Sequence, residues 1–435
     1  MHFTKALREH RLAGLVLLAF VVLDLFLLGM PNFAIYDELI YVPVAYNMVS
    51  LRPVKVPATI LGNPVSLGTE PNLTRYYPIQ PIGKDFTVEQ PPLGKLIIAA
   101  FLYVFTPDRV IFFWARVPSV IMSAIALVSM YGIGLVLFKD KRYALLSMVF
   151  LNFDTLFWIH SRIALLDIYG LAFMLLGIFL YLRNHMRVSA VFFALSILSK
   201  LTGVFGFVGI LIYHLVTKHD KANIKSALTS IGICGVVCVT VYTIYVQFWG
   251  MSQNPITNFL LYLQWARGVD WTFSLIQGNT ALSQPWAWLF NDAVVHYAQI
   301  FDPSTGLPLV SFLGRLNPAL IFPTVPVFAY TGYEMIKKRS PVNTLPFILF
   351  MATWLPWFFL TILGSEQFIH HMVGVIPFIV LAIVYWLRTQ NKVFLVGFSV
   401  FVFAAWFWSY PYSYLWLFIT GSPYPLPIPN FFWGG

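Results

Sequence analysis

The sequence has 435 residues, of which 59% are hydrophobic and only 10% are charged, and its mean hydropathy is +0.76. A soluble domain has no interior large enough for so much apolar surface, so the composition predicts a membrane protein. The formal net charge of +10 agrees with this, because Lys and Arg orient membrane proteins and contact anionic lipid headgroups. Membrane lipids are therefore expected as partners, and nucleic acid is not.

Eleven apolar segments follow one another along the chain, and each is predicted to be a membrane helix. The first segment follows the basic residues Lys5, Arg8 and Arg11 and lacks a small-residue cleavage site, so it is interpreted as a retained helix. The segments are 12–30, 111–137, 143–160, 166–182, 188–199, 202–216, 226–248, 318–336, 344–363, 372–387 and 393–409.

Basic residues gather in every second connection, which predicts that those connections and the N-terminus are cytoplasmic. With an odd number of spans, the C-terminus then lies outside. The outer side carries long connections at 31–110 and 249–317 and a tail at 411–435, and none is large enough to fold alone, so residues 1–435 are predicted to form one integral domain. The basic connections contain Lys139, Lys141 and Arg142; Arg183 and Arg187; Lys218, Lys221 and Lys225; Lys337, Lys338 and Arg339; and Arg388 and Lys392.

Two parts of this arrangement depart from regular membrane crossings. The segments 188–199 and 202–216 are short for two spans, so a broken hairpin with Lys200 at its outer tip is the alternative. The apolar run that begins at Pro91 and Pro92 would invert every later basic cluster if it crossed the membrane. It is therefore predicted to be a helix on the outer side.

Asp37 and Glu38 place two adjacent carboxylates at a membrane boundary, directly after the first apolar segment. Charge is costly there unless pairing or function supports it, so the pair is a candidate for a catalytic role. The alternative is solvation at a helix N-terminus, where acidic side chains are favoured. This motif alone does not separate the two interpretations.

Two further groups of charged residues fall on the same outer side. Glu89 stands just before Pro91 and Pro92, which can begin a helix and direct Glu89 at a set angle to it. Arg162 and Asp167 lie five residues apart in the connection between the third and fourth segments, where a structural ion pair is the alternative to a functional role.

Lys200 and the adjacent His370 and His371 complete the outer set. Neighbouring residues diverge by about 100° on a helix, so the two histidines are not expected to bind one metal ion by themselves. No cofactor is assigned with certainty, and a divalent metal held by Glu89 and His370 or His371 stays an open alternative. The outer groups combine carboxylates that can accept a proton with cations that can hold an anion, which is typical of group transfer with a phosphate leaving group.

These motifs, in this order, resemble those of the protein O-mannosyltransferases, and the resemblance extends over residues 10–390. Such proteins have the GT-C fold, an all-α membrane bundle that the aminoarabinose transferase of bacterial lipid A shares. The motifs are the Asp37-Glu38 pair, the run from Pro91 to Lys95, the turn from Ser161 to Asp167, the stretch from Ser199 to Gly203, the segment from Ser283 to Trp288, and His370-His371 before Pro377.

The resemblance implies an inverting glycosyltransferase that moves a sugar, most simply mannose, from a polyprenyl or dolichyl phosphate carrier to Ser or Thr hydroxyls of a protein acceptor at the outer or lumenal face. Asp37 would be the general base, and Glu38 would orient Asp37 or the acceptor. Three residues would line the sugar and acceptor pocket: Glu89, Arg162 and Asp167. Three residues are the candidates for binding the donor phosphate: Lys200, His370 and His371.

Two features depart from the family pattern. Gln90 stands where the mannosyltransferases commonly have His, and Glu89 resembles the Glu of the aminoarabinose branch, so transfer of another sugar to a lipid or glycan is the first alternative. The 249–317 connection is too short for the β-trefoil insertion of eukaryotic members, which favours a prokaryotic type. A secondary transporter is the second alternative, because Asp24 and Asp154 are acids within predicted spans, although no internal repeat is visible.

Overall fold

A computed structural model describes residues 10–26, 28–29, 34–49, 57–60, 63–66, 83–85, 90–106, 111–217, 221–262, 283–301, 308–365 and 367–409. The two long predicted connections are thus described only in part. Glu89 and the predicted tail 411–435 lie outside the described residues.

All eleven predicted apolar segments are helical, and so is the run after Pro91. Two of the eleven are divided into two helices each. The α-helices are α1 Arg11–Leu25, α2 Glu38–Val49, α3 Pro92–Phe105, α4 Phe112–Phe138, α5 Lys141–Asn152, α6 Thr155–His160, α7 Leu166–Leu182, α8 Met186–Ser199, α9 Gly203–Thr217, α10 Lys221–Trp249, α11 Pro318–Ile321, α12 Thr324–Lys338, α13 Pro341–Ile362, α14 Ile376–Leu387 and α15 Lys392–Ser409.

The predicted helical fold class is confirmed, and the long connections add two antiparallel hairpins. The strand β1 Pro57–Ile60 pairs with β2 Asn63–Ser66, and β3 Val295–Phe301 pairs with β4 Pro308–Gly314. Within the described residues, three helices are long and apolar enough to cross a membrane, namely Phe112–Phe138, Ala222–Trp249 and Pro341–Ile362. The other apolar helices are shorter than the roughly 20 residues that a full crossing needs.

The predicted segment 143–160 is interrupted where Asp154 caps a new helix, and segment 318–336, which breaks at Phe322 and Pro323, is preceded by a second polar cap, Asn317. Asp154 accepts a hydrogen bond from the Phe157 amide at 2.9 Å at the start of α6, and its other oxygen accepts from the Asn317 amide at 3.0 Å. The Asn317 side chain caps α11 and donates to the carbonyls of Phe153 at 2.7 Å and Val402 at 3.0 Å. Both side chains are buried, so this interlock explains the charge of Asp154 without a proton path.

We expect Asn317→Ala to lower the free energy of unfolding by about 2–4 kcal/mol, because it removes a buried cap and two further buried hydrogen bonds from the Asn317 amide. Asn391 is the matched control, since its side chain caps α15 from an exposed position by accepting from the Phe394 amide. Asn391→Ala should cost about 1 kcal/mol. Denaturant unfolding of the two variants in detergent measures both free energies of unfolding. An equal decrease in the two variants would contradict the interlock.

Two of the basic connections meet at one end of the bundle. The Arg388 guanidinium, after α14, lies 5.5 Å from the Phe138 ring centroid and 5.4 Å from that of Tyr143. These contacts join the end of α4, the start of α5 and the end of α14, in agreement with the predicted clustering of basic connections. The side of the membrane that this end faces stays a prediction.

At the other end, α3 is held by a buried charged cluster. The ammonium of Lys95 and the hydroxyl of Tyr245 both donate to the same carboxylate oxygen of Asp85. Asp85 and Lys95 are each at most 1% exposed, and the Asp85 amide also donates to the Trp249 carbonyl at 2.8 Å. Lys95 of the Pro-Pro-Leu-Gly-Lys run therefore joins α3 to α10 through the 83–85 segment.

Candidate active site

Asp37 lies in a tight turn just before α2, and its side chain is half-buried. The preceding residue, Tyr36, has φ of +50°, a left-handed conformation that costs a non-glycine residue of the order of 1 kcal/mol. Such a turn persists only when surrounding interactions hold it. Here the interactions come from Glu38, the residue after Asp37.

The Glu38 carboxylate is completely buried and accepts four hydrogen bonds. One oxygen accepts from Arg116 Nε at 2.8 Å and from the Ala164 amide at 2.8 Å, and the other accepts from Arg116 Nη2 at 2.7 Å and from the Ile35 amide at 3.0 Å. Arg116 belongs to α4, and Ala164 belongs to the connection before Asp167. Glu38 thus fastens the Asp37 turn to two other parts of the bundle, and these bonds, rather than a contact with the acceptor, occupy both of its oxygens.

Asp167, in the first turn of α7, forms an ion pair with Lys200, whose ammonium lies 2.5 Å from Asp167 Oδ1. The ion pair of Asp167 with Arg162 that the sequence left open as an alternative is not formed. Arg162 Nη2 instead donates to the Phe26 carbonyl at 2.6 Å, and its guanidinium lies 4.8 Å from the Trp158 ring centroid. Five residues in a bent connection do not bring two side chains onto one face, and Arg162 turns toward the end of α1.

Two glycines bring Lys200 up to Asp167. A Cβ atom on Gly170, one turn after Asp167, would lie 3.2 Å from Lys200 Cβ. A Cβ atom on Gly203 would lie 2.3 Å from Ser196 Oγ and 2.8 Å from the backbone nitrogen of Ile197. The turn between α8 and α9, with Lys200 at its start, therefore has its present form only because residue 203 lacks a side chain. The two short helices joined at Lys200 have the form of the broken hairpin that the sequence left open as an alternative.

We expect Gly203→Ala to displace this turn and to weaken donor-phosphate binding, because Lys200 would move with the backbone. Gly397→Ala is the matched control, since a Cβ atom there meets nothing within 4 Å. That variant should bind as the wild type and gain slightly in stability. Isothermal titration with a prenyl phosphate measures the affinity of both variants. Unchanged affinity in Gly203→Ala would contradict the steric argument.

His370 and His371 lie in a 3-10 helix at Ile369–Gly374, before α14. The His371 ring stacks on Trp357 with centroids 3.9 Å apart and an interplanar angle of 4°, and the His370 ring stacks on Phe368 at 5.4 Å. The two imidazole centroids are 4.4 Å apart. The two rings therefore lie close together although the backbone directions of neighbouring residues diverge, and the aromatic contacts hold them there.

Two tyrosines and a third histidine connect these groups. The Tyr36 hydroxyl lies 3.2 Å from His370 Nδ1, and the Tyr297 hydroxyl lies 2.6 Å from Nε2 of His160. The Tyr36 and Tyr297 rings are 4.8 Å apart, and His160 Nδ1 lies 3.8 Å from Asp167 Oδ2. The Asp37 turn, the Asp167 pair and the His370 segment thus form one site.

The electrostatics of the site favour neutral imidazoles. Burial, with a further contribution from the Lys200 charge, holds the pKa of His370 well below its usual range. Burial and the neighbouring His370 and Lys200 lower the pKa of His371 in the same way. Burial and the charges of Asp37 and Asp167 raise the pKa of the Tyr36 phenol. The imidazoles of His370 and His371 are thus neutral, and the positive charge in this part of the site is that of Lys200.

Sequence reasoning missed Arg116, His160 and Tyr297. His160 ends a predicted apolar segment, and a polar residue at that boundary is a signal that could have found it. Arg116, a charge near the start of the predicted span 111–137, carries the same signal. Tyr297 lies in the 249–317 connection, and nothing in its local pattern separates it from other aromatic residues there.

The geometry brings together a half-buried carboxylate, a buried ammonium and three imidazoles, contributed by segments distant in sequence. Such a set can accept a proton at Asp37 and hold an anion at Lys200. The Lys200 ammonium has three donors, and its bond to Asp167 leaves two for a ligand.

The family model for dolichyl-phosphate-mannose-protein mannosyltransferase matches residues 89–246. No match was found among curated proteins.

The solved structures that share the fold include a protein O-mannosyltransferase complex and an ArnT. The structure of S. cerevisiae protein O-mannosyltransferase Pmt1-Pmt2 complex bound to the sugar donor is 11% identical with a TM-score of 0.65, and the match covers 92% of this chain and 89% of that one. The crystal structure of ArnT from Cupriavidus metallidurans bound to undecaprenyl phosphate is 14% identical with a TM-score of 0.56, over 88% of this chain but only 62% of the ArnT chain. The chain is thus an integral, multi-pass membrane protein with the GT-C fold, and its predicted resemblance to the protein O-mannosyltransferases is confirmed over residues 89–246.

Proposed function

We propose that the protein is an inverting glycosyltransferase that moves mannose from a polyprenyl or dolichyl phosphate carrier to Ser or Thr hydroxyls of a protein acceptor. The observation that carries this proposal is the convergence of the Asp37 turn, the Asp167–Lys200 pair and the His370–His371 segment at one end of the bundle. The match of the mannosyltransferase family model to residues 89–246 supports the choice of mannose and of a protein acceptor.

In this proposal Asp37 takes the proton from the acceptor hydroxyl as that oxygen attacks the anomeric carbon. The bond from that carbon to the phosphate oxygen breaks, and the electron pair leaves with the phosphate. A phosphate leaves as an anion, so the reaction needs a cation beside it more than an acid. Lys200 supplies this cation, and Glu38 is a positioning residue that holds the Asp37 turn.

If Lys200 binds the donor phosphate, removing its charge should weaken donor binding. Lys200→Gln alone would leave Asp167 as an unpaired buried charge, so the informative variant is Lys200→Gln combined with Asp167→Asn, which removes both charges. We expect it to bind a prenyl phosphate roughly 10- to 100-fold more weakly, the effect of losing a charged hydrogen bond. Unchanged affinity in a folded double variant would exclude Lys200 from the donor site.

A second candidate keeps the chemistry but transfers another sugar to a lipid or glycan. The observation that favours it is the likeness to ArnT bound to undecaprenyl phosphate, together with Glu89 and Gln90 before the paired prolines. The transporter alternative is weakened because Asp154 caps a helix and Asp24 is contacted by Ser123 and lies near Arg162.

The purified protein incubated with radiolabelled polyprenyl-phosphate mannose and a Ser/Thr-rich peptide separates the candidates. Label in the peptide supports the proposal. Label only in lipid, or transfer only from carriers of other sugars, would replace it with the second candidate.

A further inference from the structure

Asp167, His370 and His371 each present one ligand atom, and these three atoms lie within 4.8 Å of one another. Two of these three side chains already form a hydrogen bond through their other polar atom. His370 Nδ1 is bonded to the Tyr36 hydroxyl, which leaves its Nε2 for another partner, and Asp167 Oδ1 is bonded to Lys200, which leaves Oδ2. This is how the outer partners of metal-binding residues usually orient them.

Unsatisfied nitrogen atoms at the same place provide a second, independent observation. The Nδ1 atoms of His371 and His160 are both buried and have no hydrogen-bond partner. A buried polar atom without a partner is costly, so the free Nδ1 of His371 points to a ligand. A small cavity of about 20 Å³ adjoins His371, lined also by Asp167, Thr202, Gly203 and Gly374, and a space of this size holds one water or one ion.

We propose that Asp167, His370 and His371 form a binding site for one divalent cation of the zinc class. Two imidazoles and one carboxylate are the ligand set of zinc sites that keep one position open, whereas Mg²⁺ and Ca²⁺ prefer oxygen ligands. The Trp357 ring stacked on His371 and the Phe368 ring stacked on His370 hold the imidazoles in place for such an ion.

The fourth coordination position of such an ion needs an anionic ligand. Lys200 remains bound to Asp167 Oδ1, so a divalent ion leaves the site with an excess of positive charge. A phosphate oxygen at the open position neutralises it. This last step rests on the proposed function, whereas the ion site itself does not.

The test uses the full-length protein in detergent, treated with EDTA and then titrated with Co²⁺, which reports tetrahedral binding by its visible absorption. Zinc loading followed by metal analysis gives the stoichiometry. We expect one ion per chain, and His371→Gln and His370→Gln should weaken binding by at least about tenfold, as even changes to outer partners do. His214→Gln is the matched control, because His214 is bonded to Tyr181 and to the Asn223 carbonyl, away from the site.

Wild-type protein that binds no Co²⁺ would overturn the proposal, and so would triad variants that bind as tightly as the His214→Gln control. Loss of fold is excluded by comparing the elution profile and thermal midpoint of each variant with those of the control. The readout requires no donor and no acceptor, so a failure of metal binding leaves the sugar-transfer proposal standing, and absence of transfer leaves the ion site standing.

Discussion

Replacing Asp37 by Asn is expected to reduce sugar transfer by roughly 100- to 10,000-fold, the range of a lost general base. The amide has the same shape as the carboxylate but cannot take the proton of the acceptor hydroxyl. Binding of a prenyl phosphate should stay within about twofold of wild type, because Lys200 and not Asp37 supplies the cation. Transfer rates and donor affinity measured on the same preparations give both values.

The control for this substitution is Asp140→Asn. Asp140 caps α5 at the basic end of the bundle, accepts from Arg142 there, and can be replaced by Asn without losing the cap. Wild-type transfer by Asp37→Asn would exclude Asp37 as the base. An equal loss in both variants would show that the effect is not specific to the site.

Arg116→Met is expected to lower the free energy of unfolding by about 3–5 kcal/mol, the cost of leaving one partner of a buried ion pair alone. The Glu38 carboxylate would lose two charged hydrogen bonds, and the Leu28 carbonyl would lose the Arg116 Nη1 donor at 3.1 Å. Because Glu38 holds the Asp37 turn, the sugar-transfer rate should fall in parallel with stability.

Two further variants make this prediction specific. Arg142→Met removes an exposed arginine that pairs with Asp140, and it should cost less than about 1 kcal/mol. Glu38→Gln combined with Arg116→Met removes both charges and should recover part of the stability but not the transfer rate. A double variant with full transfer would show that the pair has no part in positioning Asp37.

The sequence predicted the helices well, because each buried or lipid-facing segment is a continuous apolar run with a basic or polar connection after it. It did not predict where helices break inside such runs. Asp154 looks like an isolated polar residue inside an apolar run, and its contact with Asn317, 163 positions further along the chain, cannot be read from the sequence.

For the site, the charge pattern correctly placed Asp167, Lys200 and the His370 segment at one end of the bundle. Their partners could not be predicted. Nearness in sequence left an Arg162–Asp167 pair open, whereas the partner of Asp167 is Lys200, which is 33 residues away. Lys200 approaches Asp167 closely because Gly170 has no side chain. Long-range pairs depend on how helices pack, and a single sequence carries no record of that.

The end of the first helix has a consequence for how the chain is made. The carbonyls of Phe26 and Leu28 accept hydrogen bonds from Arg162 and Arg116, which are synthesised long after α1 has entered the membrane. In lipid, unpaired carbonyls of this kind are costly. The end of the first helix therefore gains both donors only after the chain has been made through Arg162, so this end is among the last parts of the first helix to be completed.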